Sequence, residues 1–336
     1  MKIKKQELLE ALAIVKPGLS NKEIIEQSTS FAFMAGRVIT YNDDISISHP
    51  VTALELEGAI KAEELYQLLN KIKGDEIDIE INETELQIKS GKVKAGLTLQ
   101  SEVKLPLEEL GRIAGWKHLP SNFTKHIKFA APCCSNDMNR PILTCINITK
   151  EGIVQASDNY KLITATLNKE MPCKDFLLPA NAAIQVIKLE PSHIILGNGW
   201  VHFKTPKETI LSCRIFEEAY PDVKPFIKHK GEEITFPVNF ADILDRAVIF
   251  AKREHFLDEE VIITIAENKI KIKGKSDTGW LEESANIKYV GELLEIRITP
   301  YLLQSIIKET LTCSVNSQKV KFTGEDWIYI AMLRRQ

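Results

Sequence analysis

The sequence predicts an α+β protein made of three similar domains, each with two helices and two antiparallel sheets. A unit of one short helix followed by three strands occurs three times. Its copies start about 118 residues apart, which is the size of a domain rather than of a solenoid repeat. A further helix with its own strands precedes each copy. Helices segregated beside antiparallel sheets fit this order better than alternating strand and helix crossovers do.

The three copies share one pattern of apolar residues. In the first copy, Leu65, Leu68 and Leu69 recur at helical spacing, and Ile77 and Ile79 alternate as in a strand. Each helix begins at Lys, Pro or Thr-Pro, which suits a first turn whose N–H groups have no helical partner. The copies cover residues 59–99, 176–216 and 295–333.

The stretches before the copies predict the remaining elements. Amphipathic helices are expected over residues 5–15, 122–131 and 239–252. Strands are expected over residues 30–34, 38–41, 45–48, 143–149, 153–156, 261–266 and 269–274. Turn-rich or charged linkers at residues 111–120 and 227–233 separate the thirds. The predicted domains are therefore residues 1–115, 116–230 and 231–336.

Charge is unevenly distributed between the predicted helices and the rest of the chain. The net charge of −3 argues against a basic coat over the whole surface. The six candidate helices nevertheless carry about +7 in total, against about −10 elsewhere. If all six face the same way, one surface attracts a polyanion. For any single helix, lysines on a solvated face are the ordinary explanation, and only the consistency across all six helices favours a functional surface.

The sequence carries no catalytic or metal-binding signature. No GxGxxG, GxxxxGK[ST], HExxH or GxSxG motif occurs, the seven histidines are scattered, and the six cysteines form no CxxC pair. We therefore expect a binding or structural device rather than an enzyme, with no metal and no cofactor. Apolar runs too short to span a bilayer and a start without a signal-peptide core predict a cytoplasmic protein with no membrane partner.

Two motifs in the middle third point to a known family. Residues 154–162 read VQASDNYKL, and residues 216–223 read FEEAYPDV. Together with the threefold repeat, they resemble the bacterial DNA polymerase III beta subunit, the sliding clamp, in which the corresponding turns read Ala-Thr-Asp-Gly-His-Arg-Leu and Phe-Pro-Asp-Tyr. Further matches lie at residues 1–3, 139–143, 289–291, 301–303 and 329–332.

The chain also departs from the family pattern at two places. Residues 159–161 read NYK where the family has Gly-His-Arg, and the chain ends in LRRQ instead of Pro-Met-Arg-Leu. These departures fit a divergent member of the kind that a phage or prophage encodes.

The resemblance implies the DNA clamp fold and a head-to-tail homodimer whose six domains form a ring around duplex DNA. Edge strands of the first and third domains would pair across subunits. Ile249 and Phe250 would lie in that contact, although a place in the core of the third domain fits them equally well. Lysines and arginines would hold the DNA phosphates without reading bases, and the candidates are Lys22, Lys125, Lys128, Arg140 and Lys188.

The resemblance further implies a hydrophobic pocket that binds short peptide motifs of the DNA polymerase and of clamp-loader subunits. The residues that match its lining are Leu143, Ser157, Tyr160, Leu162, Pro221, Phe226, Tyr301, Ile330 and Met332. For Leu143, Leu162 and Ile330, an ordinary core position is an equal alternative. Tyr160 and Met332 are stronger candidates, because a turn and a chain end are poor places for a core anchor.

The expected function is that of a DNA polymerase processivity factor, a ring-shaped sliding clamp. Two alternatives remain open at this point. One is a clamp-like decoy that binds replication proteins without encircling DNA, and the other is a nucleic-acid enzyme with an unrecognised site.

Overall fold

The computed structural model describes residues 2–51, 54–111 and 113–334 of the 336-residue chain. Met1, Arg335 and Gln336 of the two terminal motifs, and Arg112 of the first predicted linker, lie outside the described residues. The helices are α1 (Lys5–Val15), α2 (Ala62–Lys71), α3 (Phe123–Ala130), α4 (Ala180–Leu189), α5 (Lys224–Ile227), α6 (Phe240–Ala251) and α7 (Tyr301–Gln304).

The strands, in chain order, are β1 (Lys2–Lys4), β2 (Ser30–Met34), β3 (Arg37–Tyr41), β4 (Ile45–Pro50), β5 (Gly58–Lys61), β6 (Glu76–Ile81), β7 (Glu85–Ser90), β8 (Val93–Thr98), β9 (Lys117–His118), β10 (Cys145–Ile148), β11 (Ile153–Ser157), β12 (Lys161–Thr166), β13 (Phe176–Pro179), β14 (His193–Leu196), β15 (Trp200–Lys204), β16 (Ile210–Arg214), β17 (Glu232–Thr235), β18 (Val261–Ala266), β19 (Lys269–Ser276), β20 (Gly279–Asn286), β21 (Leu294–Ile298), β22 (Thr312–Val315), β23 (Lys319–Thr323) and β24 (Trp327–Met332). The α+β class that the sequence predicts is confirmed.

The described residues form two compact units. The first unit comprises the described residues within Met1–Lys128, Ile148–Glu151 and Asn168–Glu218. It contains a four-stranded sheet of order β1-β6-β7-β8 and an eight-stranded sheet of order β5-β2-β3-β4-β16-β15-β14-β9. Because β4 pairs antiparallel with β16, this second sheet joins strands of the first and second predicted domains. Tyr41 and Trp200, both fully buried, lie in its core with their ring centroids 6.0 Å apart.

The second unit takes the described residues of Phe129–Asn147, Gly152–Leu167 and Ala219–Gln336. One of its sheets runs in the order β10-β11-β12-β24-β23-β22-β17, and a four-stranded sheet has the order β20-β19-β18-β21. Helix α6 covers one face of the four-stranded sheet with a buried apolar stripe that includes Phe240 and Leu244. Gly274 permits this close approach, since a Cβ atom there would lie 2.3 Å from the carbonyl oxygen of Ala247.

Two predicted elements differ from the structure. The strand expected over residues 143–149 begins only at Cys145, because Pro141–Thr144 forms a 3-10 turn in which Thr144 Oγ1 donates to the carbonyl oxygen of Pro141 at 2.7 Å. The helix expected in the third repeat is only the four residues of α7, followed by the 3-10 turn Ile306–Lys308. Within α7, the carbonyl oxygen of Leu302 accepts the hydroxyl of Tyr329 at 2.6 Å.

The predicted linkers also contain regular structure. Strand β9 lies within residues 111–120, while α5 ends at Ile227 and β17 begins at Glu232 in the second linker. Within the described residues, no helix is both long and apolar enough to cross a membrane.

Candidate functional site

The turn between β11 and β12 in the second unit is fixed by its own side chains. Asp158 Oδ1 accepts the backbone N–H groups of Tyr160 at 2.9 Å and Lys161 at 2.8 Å, and Ser157 Oγ donates to the carbonyl oxygen of Lys161 at 2.8 Å. Asn159 has a φ of 75°, a left-handed conformation that Asn tolerates. The turn therefore presents the Tyr160 side chain, which is 46% exposed, in a fixed place.

The second oxygen of Asp158 joins this turn to α7. Tyr301 donates its hydroxyl to Asp158 Oδ2 at 3.2 Å. The buried Lys161 ammonium lies 3.8 Å from the same oxygen and 4.6 Å from the centroid of the Tyr301 ring. Burial, and then the negative charge of Asp158, raise the pKa of Tyr301, so its hydroxyl keeps the proton that it donates. One carboxylate and one aromatic face thus hold a buried cation.

An apolar cluster lies on β12 and β24, next to this turn. Leu162 and Ile330 are paired across the two strands and are buried together with Val223. The N–H group of Met332 donates to the carbonyl oxygen of Tyr160 at 2.8 Å, which continues the pairing to the end of β24. The partly buried residues packed against the cluster are Tyr220, Ile227 and Ile328.

Helix α5 places a second exposed aromatic residue near the cluster. The N–H group of Phe226 bonds the carbonyl oxygen of Val223 at 3.0 Å, while its side chain is 57% exposed. Lys319 Nζ donates to the carbonyl oxygens of Phe226 at 2.6 Å and Lys228 at 2.8 Å, so it caps the end of this short helix. Burial, and then the charge of Lys321, lower the pKa of Lys319. The cluster is therefore flanked by aromatic side chains held on fixed backbone.

A groove of about 540 Å³ begins at the residue after Met332. The N–H group of Arg334 bonds the carbonyl oxygen of Arg297 at 2.8 Å, which holds the last described residues along β21. The groove is lined by Gly231, Glu232, Leu294, Glu295, Arg297, Val315, Asn316, Ser317, Leu333 and Arg334. Sequence reasoning did not find this groove, because its lining comes from β17, β21, the end of β22 and the residues after β24, which are far apart in the chain.

The structure brings together most of the predicted pocket residues. Leu162 and Ile330 belong to the cluster, and the turn network connects Ser157, Tyr160, Tyr301 and Met332 to it. Among the described residues, Leu143 and Pro221 are not members of the cluster. Leu143 is buried at its 3-10 turn, where its carbonyl oxygen accepts the N–H group of Ser135 at 2.8 Å, and Pro221 is exposed.

Four residues of the cluster were missed at the sequence level: Tyr220, Val223, Ile227 and Ile328. Tyr220 and Val223 lie within the motif at residues 216–223, and Ile227 is the last residue of α5. Their spacing of three and four residues was the available signal.

The five predicted DNA-contacting residues all have exposed side chains. On α3, Lys125 and Lys128 are exposed while His126 and Ile127 between them are buried. Lys188 is exposed on α4, and Lys22 and Arg140 are exposed in loops. The amphipathic pattern predicted for these helices therefore places the charges on their solvent side.

The two residues predicted for a dimer contact differ in burial. Ile249 is 63% exposed at the end of α6, so its alternative place in the core is wrong. Phe250 is half-buried, and a Cβ atom added at Gly279 would lie 3.1 Å from its ring. The Phe250 side chain thus lies beside β20, which is an outer strand of its sheet.

The described residues contain no group of three or more His, Cys, Asp or Glu side chains that could hold a metal ion. All six cysteines are unpaired thiols. Burial raises the pKa of Cys133 to about 12 and the pKa of Cys145 to about 11, so both thiols stay protonated at neutral pH.

No protein-family model and no curated protein sequence matches the chain, whereas solved structures do. The sliding clamp of Pseudomonas aeruginosa bound to griselimycin aligns with a TM-score of 0.86 at 16% identity, over 100% of this chain and 99% of that one. The beta chain of DNA polymerase III from Streptococcus pneumoniae aligns with a TM-score of 0.84 at 21% identity, over 100% and 99%. The chain has the sliding-clamp fold.

A sliding clamp of Bacillus subtilis gives the same result, with a TM-score of 0.83 at 20% identity over 100% of this chain and 98% of that one. The resemblance inferred from short motifs is therefore confirmed for the fold. Sequence identities of this size explain why the resemblance depended on the order and spacing of degenerate motifs. The sliding-clamp fold extends over the whole chain.

Proposed function

We propose that this chain is a DNA polymerase processivity factor, which encircles duplex DNA as a ring and tethers a polymerase to it. The observation that supports the proposal is the fold match over nearly the full length of both chains, with TM-scores of 0.80 to 0.86 against solved sliding clamps.

Two copies would close the ring by head-to-tail pairing of sheet edges. Strands β8 and β20 are outer strands of the two four-stranded sheets, so each has unpaired backbone groups on one side. Exposed apolar side chains accompany both edges: Val93 on β8, and Ile249 and Trp280 at β20. A head-to-tail contact of this kind forms a closed ring of two copies when the rotation that relates one subunit to the next is about 180°.

Each subunit of the ring would consist of three domains, at residues 1–115, 116–230 and 231–336. The ring would hold duplex DNA through the phosphates of the DNA backbone. The proposed contacts are Lys22, Lys125, Lys128, Arg140 and Lys188. Duplex DNA carries about one negative charge per 1.7 Å of axis, so exposed cations bind it at any position and read no sequence. Sliding along the duplex then needs no change in the contacts.

The apolar cluster and its turn network would bind short peptide motifs of polymerase and clamp-loader subunits. Leu162 and Ile330 form the floor, while Tyr160, Phe226 and Met332 form the rim. The geometry supports this role because two exposed aromatic side chains flank a buried apolar group, and apolar anchors of a peptide gain most affinity in such places. The groove that follows Met332 offers room for the rest of the peptide.

The test of the ring is retention on DNA. We expect a particle with twice the 38.0 kDa mass of the chain, loaded onto nicked circular DNA and lost when the circle is linearised. Ile249→Asp should yield monomers that are not retained, and Val290→Asp, at a fully exposed valine of the same unit, is the matched control. Equal retention on linear and circular DNA would contradict encirclement.

The test of tethering is the length of DNA that the partner polymerase synthesises per binding event on a primed circle. The proposal expects an increase with the chain present and no increase with the Ile249→Asp variant. A dimer that binds polymerase peptides but fails to lengthen the products would favour the decoy instead.

A further inference from the structure

One face of the four-stranded sheet of the second unit carries a row of exposed lysines. In β19, Ile270, Ile272 and Gly274 are buried toward α6, so the alternating residues between them point to the opposite face. These residues are exposed lysines: Lys269, Lys271, Lys273 and Lys275. Lys271 pairs with Glu282 at 3.0 Å, whereas Lys273 and Lys275 have no carboxylate within salt-bridge distance among the described residues.

A cavity of about 310 Å³ lies at the end of this lysine row. Its lining is Arg253, Glu260, Ile262, Lys273, Lys275, Ser276 and Asp277. Glu260 already faces the guanidinium groups of Arg297 at 3.8 Å and Arg334 at 3.7 Å. The cavity therefore holds three cations and one carboxylate, Asp277, with no described ionic partner.

Arg253 is oriented by backbone carbonyl groups rather than by a carboxylate. Its Nη1 atom donates to the carbonyl oxygens of Ala251 at 3.2 Å and Lys252 at 2.8 Å, and its Nη2 atom donates to the carbonyl oxygen of Lys275 at 2.7 Å. The N–H on Nε and one N–H on Nη2 have no acceptor among the described residues. The guanidinium group thus keeps donors on two of its nitrogens for an incoming anion.

We propose that this cavity is a binding site for phosphate groups, with Arg253 as the bidentate contact and Lys273 and Lys275 as the charge around it. Phosphate suits the site because it offers several oxygens and up to two charges to one fork and two ammonium groups. The cavity is larger than one phosphate, and the lysine row leads out of it. The phosphate source is therefore either a free phosphate compound or the backbone of a nucleic-acid strand on this face of the sheet.

This inference does not depend on the proposed ring, since none of the cavity residues is among the proposed DNA or peptide contacts. The experiment measures binding of pyrophosphate and of a short oligothymidylate to the full chain by calorimetry at low salt. Binding of pyrophosphate alone identifies a free phosphate compound, and binding of the oligonucleotide identifies a strand backbone. Either result supports the site when it depends on the cavity residues.

Dependence on the cavity is tested with Lys273→Gln and Lys275→Gln, whose side chains make no described hydrogen bond, so folding should be retained. We expect each to weaken binding about threefold, and the double variant about tenfold.

Asp277→Asn should strengthen binding, because it removes a negative charge that repels the phosphate. Loss of a side chain with a purely structural role would not strengthen binding. Lys308→Gln, an exposed lysine of the same unit on another element, is the control. Binding of neither probe, or equal weakening by Lys308→Gln, would overturn the proposal.

Discussion

The two sheets of the second unit use lysine in opposite ways. Lys161, at the start of β12, is 8% exposed and lies between the Asp158 carboxylate and the Tyr301 ring. Lys273 and Lys275 on β19 are exposed and have no described carboxylate partner. A buried charge must find its partner within the fold, since desolvation without one is costly. An exposed charge keeps its hydration and remains available to a ligand. Lys161 therefore stabilises the structure of its turn, whereas Lys273 and Lys275 are free to bind a ligand.

The largest expected effect concerns the apolar cluster that lies next to the turn of Lys161. Leu162→Ala should lower the free energy of unfolding by about 3 kcal/mol, because it removes a side chain that is 5% exposed from the cluster. Together with Met332→Ala, it should weaken binding of peptides from the partner polymerase about tenfold or more, while the dimer persists. Denaturant unfolding and calorimetry measure the two effects.

Ile272→Ala, at a buried position of the other sheet, is the matched control for this pair. It should destabilise the chain similarly, yet leave the affinity for peptides unchanged. If both variants changed peptide affinity equally, or if neither did, the cluster would not be the peptide site.

Breaking the buried ion pair should have the next largest effect. Asp158→Asn keeps an oxygen for the turn N–H groups but leaves the Lys161 ammonium buried beside a neutral group. We expect a loss of about 2 kcal/mol in unfolding free energy. Adding Lys161→Met should recover part of it, and a double-mutant cycle by urea denaturation measures the coupling. Additive losses would mean that the two side chains do not interact.

A smaller effect is expected at the ion pair that joins α6 to β20. Glu283 accepts two hydrogen bonds from Arg246, at 2.8 Å and 2.7 Å, and these lower the pKa of Glu283 below its ordinary 4.5. The stability that this ion pair adds to the folded state is therefore fully present above pH 4.5, and it is lost as the pH falls through the lowered pKa of Glu283. Arg246→Gln should make stability less sensitive to pH in this acidic range, measured by thermal unfolding at several pH values. An unchanged pH profile would contradict the role of Arg246.

The smallest effect is expected on the lysine row. Lys273→Gln should change the unfolding free energy by less than about 0.5 kcal/mol, since its side chain is solvated. A larger loss, seen by denaturant unfolding, would mean that this lysine stabilises the fold as Lys161 does, and the contrast between the two sheets would disappear.

The sequence predicted those helices and strands in which apolar residues recur at regular spacing and turn-forming or charged residues follow at the ends. Helix α1 and strands β2 and β18 have the predicted bounds. It predicted a longer helix than the four residues of α7, and the carbonyl oxygen of Leu302 in that helix accepts the hydroxyl of Tyr329, which is 27 residues away. Likewise, the motif around Asp158 was recognised as a turn, but the role of its second oxygen depends on Tyr301, which is 143 residues further along the chain.

By itself, the sequence determined the α+β class, the threefold recurrence of one helix and three strands, and which residues of β19 share a face. Hydrophobic period and turn residues encode these features locally. Only the tertiary structure decided which faces meet: Leu162 with Ile330 and Val223, and Arg253 with the end of β19. The physical reason is that a period specifies the side of an element that is buried, whereas the partner that covers it is selected by packing between distant segments.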